Sequence, residues 1–238
     1  LADIIELFDR SGYVVTVHPT RRKGDTTRTL KKHAAGYDRV VISGGDGTLN
    51  EALCGMRLAA EKWNRLPDLG YIPAGSTNDF ANSLGLPSDP LKAARIAASG
   101  EAFSCDAGTF NGHPFAYVAA FGVFTNDSYA TPQQSKNSLG HFAYILEGIR
   151  TLPQIKGIPF TVETDQETFS DKYLYGMVSN STSVGGISGI YSPNSVSLND
   201  GLLEVLLIKE PRSLAERSEL MSDLLRMNLS SRYITTLK

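Results

Sequence analysis

The sequence predicts an α/β chain in two domains: an α/β domain with a parallel sheet over residues 1–103, and a β-rich domain over 104–238. Three observations predict it. Short apolar runs alternate with helical periods through the first hundred residues, the pattern of parallel strands with helices on both faces. Two of those runs, "DRVVISGG" and "LGYIP", lead straight into glycine-containing loops. From about Ser104 the texture changes to strand-like runs joined by short turns, which is an antiparallel signature.

Each element has a local reason. Leu1, Ile4, Ile5, Leu7 and Phe8 recur at helical spacing, and Ser11-Gly12 stops that helix. "YVVTVHPT" reads as a strand followed by a basic loop. Thr26 to Ala35 reads as a helix, "DRVVISGG" as a short buried strand, and "TLNEALCGM" as the helix after it. Pro67 breaks the chain. "LGYIPAGSTND" is a strand and a loop, and "DFANSLGL" a short helix. Ser88 to Ser99 is a further helix, capped by Ser88 and ended by Gly100. Beyond it, Asn111-Gly112 joins two strand-like runs in a hairpin. "IPFTVETDQETFSDKYLYGMVSN", "DGLLEVLLIK" and "SRYITTLK" supply more strands. Two helices interrupt them, Leu139 to Leu152 and Ser213 to Met227, the second with a Ser cap.

The 238 residues suffice for a sizeable core in one large domain or two small ones. A net charge of -2 gives no global field that would favour nucleic acid. The basic clusters Arg21-Arg22-Lys23 and Lys31-Lys32 read as a solvated loop and a helix face. Cys54 and Cys105 form no CxxC pattern, which fits a reduced cytoplasmic protein. The four histidines show no zinc spacing. "GGISGI" lacks the GxSxG spacing of a hydrolase elbow.

The chemistry concentrates in two loops. Gly44, Gly45 and Gly47 lie between a strand and a helix N-terminus. There, absent side chains and the helix dipole suit a phosphate, although a tight turn also uses such glycines. No Gly-Lys-Ser/Thr follows, so this is not a P-loop, and the third glycine of GxGxxG is absent. Asp46 would repel a bare phosphate. It fits beside one if a divalent cation is present or if it orients the attacking group, and it could otherwise cap its own turn. "PAGSTND" is a second loop of this kind. Gly75 allows close approach, Ser76, Thr77 and Asn78 offer hydrogen bonds, and Asp79 is a carboxylate that also fits a helix cap. Loops at the C-terminal ends of parallel strands share one edge of the sheet. Asp106 lies in an apolar stretch. Its burial calls for a partner or a metal, and an exposed edge strand is the alternative.

On these residues the chain resembles the bacterial lipid kinases related to the diacylglycerol kinase catalytic domain. "GGDGTLNE" is the central match and "PAGSTNDFANSLGLP" the more specific one. "CDAGTFNG", "LGHFAYILEGIRTL" and "SLNDGLLEVLLIK" follow in the family's order. The resemblance implies a nucleotide-binding α/β domain, a β-rich sandwich domain and an active site between them. It implies ATP as phosphate donor, with Thr20, Gly44, Gly45, Asp46, Gly47, Thr48, Asn50, Gly75 and Ser76 at the nucleotide. It implies Mg²⁺ within an acidic network of Asp46, Asp79 and Asp106, with Asp46 and Asp106 as its ligands. A second, structural metal would involve Asp200 and Leu202, with Ser197 where relatives often carry an acid. A first strand with an Asn-Pro phosphate loop is expected before Leu1. An Asp-Gly-Glu segment holding the general base is expected after Lys238. The implied reaction is transfer of the γ-phosphate to a lipid hydroxyl, most simply that of diacylglycerol. The implied partner is a membrane surface, met peripherally from the cytoplasm, with a homodimer compatible and no nucleic acid. The alternatives are a kinase of a soluble acceptor such as NAD and a non-catalytic nucleotide- or lipid-binding regulator.

Overall fold

The computed structural model describes residues 1–122, 156–165, 167–184, 187–188, 191, 196–226 and 228–238. The helix expected over 139–152 lies outside the described residues. Two compact units form. One is Leu1–Tyr117 with Leu198–Gly201, and the other is Val118–Ser197 with Leu202–Lys238. The break along the chain follows Tyr117, so the Asn111-Gly112 hairpin, expected in the β-rich domain, lies in the first unit.

In the first unit, β1 (Arg39–Gly44) and β2 (Asp68–Pro73) pair in parallel, with Gly44 opposite Pro73. This is the expected parallel arrangement, with helices on both faces. One face carries α2 (Asp25–His33), α3 (Asp46–Ala60) and the short α4 (Asp79–Ser83) over Leu30, Val40, Ile42, Leu49, Tyr71 and Phe80. A 3-10 turn, Ala34–Gly36, completes the helix expected over 26–35. The other face carries α1 (Ala2–Arg10) and α5 (Pro90–Ser99) over Phe8 and Ile72. Four alanines of α5, at 93, 94, 97 and 98, are buried and let the helix lie close to the sheet. A Cβ on Gly70 would stand 2.9 Å from that of Ala97. Arg39 ties the far end of α5 by donating to the carbonyls of Ala97 at 2.7 Å and Ala98 at 2.9 Å.

Two local expectations are corrected. "YVVTVHPT" is an exposed segment and not a strand. Its β-branched residues favour extended backbone, but a strand also needs a ladder partner. No strand among the described residues pairs with it, and Val14 is 96 % exposed. The cap of α5 is Asp89, whose carboxylate accepts from the Lys92 N–H at 2.8 Å, and not Ser88. Pro90 takes the first helical position, so the cap falls to the residue just before it. The expected hairpin is present. β3 (Gly108–Phe110) and β4 (His113–Phe115) join through Asn111 and Gly112, both at positive φ, as a two-residue primed turn requires.

The second unit is antiparallel, as expected of the β-rich part. Its sheet runs β11 (Ile234–Leu237), β10 (Glu204–Lys209), β7 (Thr168–Ser179), β5 (Val118–Gly122), and β6 (Ile158–Glu163) pairs with the first half of β7. A small ribbon adds β8 (Ser183–Val184) and β9 (Ile187–Ser188). The helix α6 (Leu214–Leu225) is capped by Ser213, whose hydroxyl accepts from the Glu216 N–H at 3.2 Å. It buries Leu220 and Leu224 against Leu206, Ile208, Met177 and Tyr233.

Candidate active site

The two glycine loops meet because β1 and β2 end side by side. The Ala74 N–H donates to the Gly44 carbonyl at 2.8 Å, continuing the ladder one step past the strands. Beyond that step the loops touch backbone to backbone. A Cβ on Gly75 would come within 2.5 Å of the Gly45 Cα, and one on Gly45 within 3.1 Å of the Gly75 Cα. A Cβ on Gly44 would strike the Thr48 side chain at 2.3 Å. Gly44 and Gly75 are therefore demanded by packing, and Gly45 sits in a tight contact that a Cβ would strain. Gly47 differs. It is exposed, and an added Cβ there would meet nothing within 4 Å. Its bare backbone at the start of α3 has no steric origin in the protein and is open to a ligand.

Asn78 closes the second loop. It adopts the left-handed conformation at φ 53°, its side-chain oxygen accepts from the Gly75 N–H at 2.8 Å, and its amide donates to the Gly75 carbonyl at 3.0 Å. That turn aims the first N–H groups of α4 at the other loop. Asp46 receives them, Oδ2 from the Asp79 N–H at 3.2 Å and Oδ1 from the Phe80 N–H at 3.1 Å. The Asp46 carboxylate thus links the first loop to the helix that follows the second. Its pKa lies above the ordinary carboxylate value. Burial is the main cause and the charge of Asp79 adds to it, against the pull of the Phe80 and Asp79 N–H groups.

Asp79 is 1 % exposed, and its carboxylate accepts from the Tyr117 hydroxyl at 2.7 Å. Tyr71 lies in the same core cluster. Its buried hydroxyl finds no hydrogen-bond partner among the described residues, and burial, with the charge of Asp46, pushes its pKa well up. Asp106 has a separate setting. Its N–H donates to the Leu198 carbonyl at 2.7 Å, and its Oδ2 accepts from the Gly201 N–H at 2.7 Å. It is anchored to the turn that carries Asp200.

The structure brings Asp46 and Asp79 together, and it joins Asp106 to the 198–201 turn. Thr48 is half-buried over Gly44, while Asn50 and Ser76 are exposed. Thr20 is exposed in the segment before the basic loop. That loop is tied to α3 through Glu51, which accepts from the Gly24 N–H at 2.7 Å. Asp200 and Leu202 are exposed, and Ser197 is half-buried. Among the described residues no three His, Cys, Asp or Glu side chains converge into a protein-only metal cage. A Mg²⁺ that keeps waters and takes phosphate oxygens needs only one or two carboxylates. Asp46, held between the two glycine loops by the Asp79 and Phe80 N–H groups, is a carboxylate of the kind such an ion takes.

Sequence reasoning missed Tyr117, Tyr71 and Glu51. Tyr117 sits in an apolar strand-like run, and nothing in that run signals a partner 38 residues earlier. Glu51 lies on the helical stretch after "GGDGT", and its link to Gly24 spans 27 residues.

The diacylglycerol kinase catalytic domain model matches residues 1–110. A diacylglycerol kinase of Bacillus subtilis is 38 % identical over 212 residues, covering 88 % of this chain and 68 % of that protein. One from Staphylococcus saprophyticus is 35 % identical over 223 residues, covering 93 % of this chain and 71 % of that protein. The chain belongs to the diacylglycerol kinase family. It is thereby a kinase of the lipid kinase class. A crystal structure of a diacylglycerol kinase from Bacillus anthracis shares the fold, with a TM-score of 0.72 at 24 % identity, over 100 % of this chain and 77 % of that one. No helix among the described residues is long and apolar enough to cross a membrane.

Proposed function

We propose that the protein transfers the γ-phosphate of ATP to the hydroxyl of diacylglycerol, giving phosphatidic acid, at a membrane surface that it meets peripherally. One observation carries this reading. The Asp46 carboxylate is fixed by the N–H groups of Asp79 and Phe80 between two glycine loops that touch backbone to backbone. Phosphoryl transfer asks mainly for positioning and charge neutralisation, and this arrangement supplies a rigid acid beside open backbone.

In this reading the unit Leu1–Tyr117 is the nucleotide-binding domain. Gly47 leaves the start of α3 bare for phosphate, with the helix dipole behind it. Thr48, Asn50, Gly75, Ser76 and Thr20 complete the nucleotide contacts. Asp46 and Asp106 are the carboxylates for Mg²⁺, which when bound neutralises phosphate charge, and Asp79 is the buried member of the network. Ser197, Asp200 and Leu202 are the candidates for the structural metal.

The test uses full-length protein with labelled ATP and Mg²⁺ on mixed micelles of diacylglycerol, with sphingosine and NAD in parallel and Asp46→Ala as control. Label in phosphatidic acid, lost by about 10²-fold or more in the variant, is the expected result. Label in NAD alone would replace the lipid acceptor with a soluble one. ATP binding without transfer to any acceptor would make the protein a regulator.

A further inference from the structure

We propose that Tyr117 is a positioning residue for phosphoryl transfer, acting through Asp79 on Asp46. The inference rests on the function proposed above and deepens it.

The argument starts from burial. A carboxylate that is 1 % exposed needs hydrogen bonds to remain where it is. Tyr117 supplies one at 2.7 Å. The donor does not come from the local turn. It arrives from the stretch just after β4, 38 residues along the chain, and its ring packs on the same cluster as Leu49 and Phe80. Tyr117 therefore props the first residue of α4 from the core side.

What it props is the surface that orients Asp46. Both Asp46 oxygens are set by N–H groups at the start of α4, those of Asp79 and Phe80. Without this bond the Asp79 side chain is held less firmly, which loosens the N-terminal turn of α4 and, with it, the Asp46 carboxylate. α4 is only five residues long, so few bonds of its own resist that loosening. Asp46 is the acid proposed to face phosphate and cation, so a small turn there is read in the chemical step. Tyr117 itself touches neither phosphate nor metal in this scheme.

Removing only the hydroxyl separates this role from packing. In full-length protein, Tyr117→Phe should lower kcat about 10-fold while KM for ATP stays within about twofold. A residue that only fills the core would lower thermal stability and leave kcat alone. The second arm is a double-mutant cycle with Asp79→Ala, which leaves no side-chain acceptor for the hydroxyl. If Tyr117 acts through Asp79, Tyr117→Phe should change kcat by less than about twofold once Asp79 is altered. Unchanged kcat in Tyr117→Phe, or the same loss in both backgrounds, overturns the inference. Wild-type turnover on diacylglycerol is measured first, and its absence sinks the proposed function by itself. Thermal unfolding of the same four proteins then decides the prop. A loss of Tm on Tyr117→Phe that disappears beside Asp79→Ala supports it, and equal losses in both backgrounds overturn it.

Discussion

At the scale of single residues, two aspartates next to helix starts are held in opposite electrostatic senses. Asp46 is pushed toward its neutral form by burial and by Asp79, against the backbone N–H groups of Phe80, Asp79 and Asp46 itself. Replacing it with Ala removes both acceptors and leaves the start of α4 short of partners, a loss of roughly 1–3 kcal/mol partly offset by the relief of like charges. Asp25 is the contrary case. Its carboxylate accepts from the Arg21 N–H at 2.8 Å and the Arg22 N–H at 3.0 Å, and it pairs with Arg28. The Arg21 N–H first, then Arg28, hold its pKa down at about 2. A depressed carboxylate stabilises the fold above its ordinary value of 3.8, and that contribution is lost as pH falls toward about 2. Asp25→Asn should therefore lower Tm at pH 6, with the gap to wild type closing between pH 3.8 and about 2. Thermal scans across that window check it. A gap that persists at the acid end would mean that geometry rather than charge sets the effect.

At the scale of elements, the contact between the glycine loops is the feature on which the site depends. The two glycines are not equivalent, because an added Cβ meets backbone at 2.5 Å from position 75 but at 3.1 Å from position 45. Gly75→Ala must separate the loops or break the Asn78 bond, whose oxygen would lie 2.7 Å from the new carbon. Overpacking of this kind costs about 1–3 kcal/mol. On the proposed function, Gly75→Ala should also weaken ATP binding about tenfold or more, and Gly45→Ala should do less on both counts. Calorimetric titration with ATP analogues and urea unfolding give the order. A Gly45→Ala variant worse than Gly75→Ala would show that the backbone at 45 serves the ligand more than its neighbour loop. Gly47→Ala provides the contrast, since nothing in the protein resists a Cβ there.

At the scale of the whole molecule, each of the two compact units has its own core. Leu220 is fully buried on α6 against the antiparallel sheet, and none of its cluster belongs to the Leu1–Tyr117 unit. Leu220→Ala should cost about 2–5 kcal/mol. Amide hydrogen exchange should then quicken in β7, β10, β11 and α6 and stay near the wild-type rate in β1, β2 and α3. Uniform quickening would show that the two units open as one cooperative body.

Much of this protein was determined by its sequence alone. Alternating apolar runs and helical periods placed β1, α3, β2 and α5. "NG" placed the hairpin, and the loops with Asp46 and Asp79 marked the candidate site and the family. Those features are legible because period, turn chemistry and capping act over a few residues. Only the tertiary structure decided which glycines answer to each other, that Asp79 is buried on a Tyr117 hydroxyl, and that Asp106 is bound to Gly201, 95 residues away. It also decided that "YVVTVHPT" is no strand, since a ladder partner is not a property of the segment. The physical reason is common to all four. Each depends on a group distant in sequence being brought within bonding or van der Waals range, and no local pattern encodes that distance.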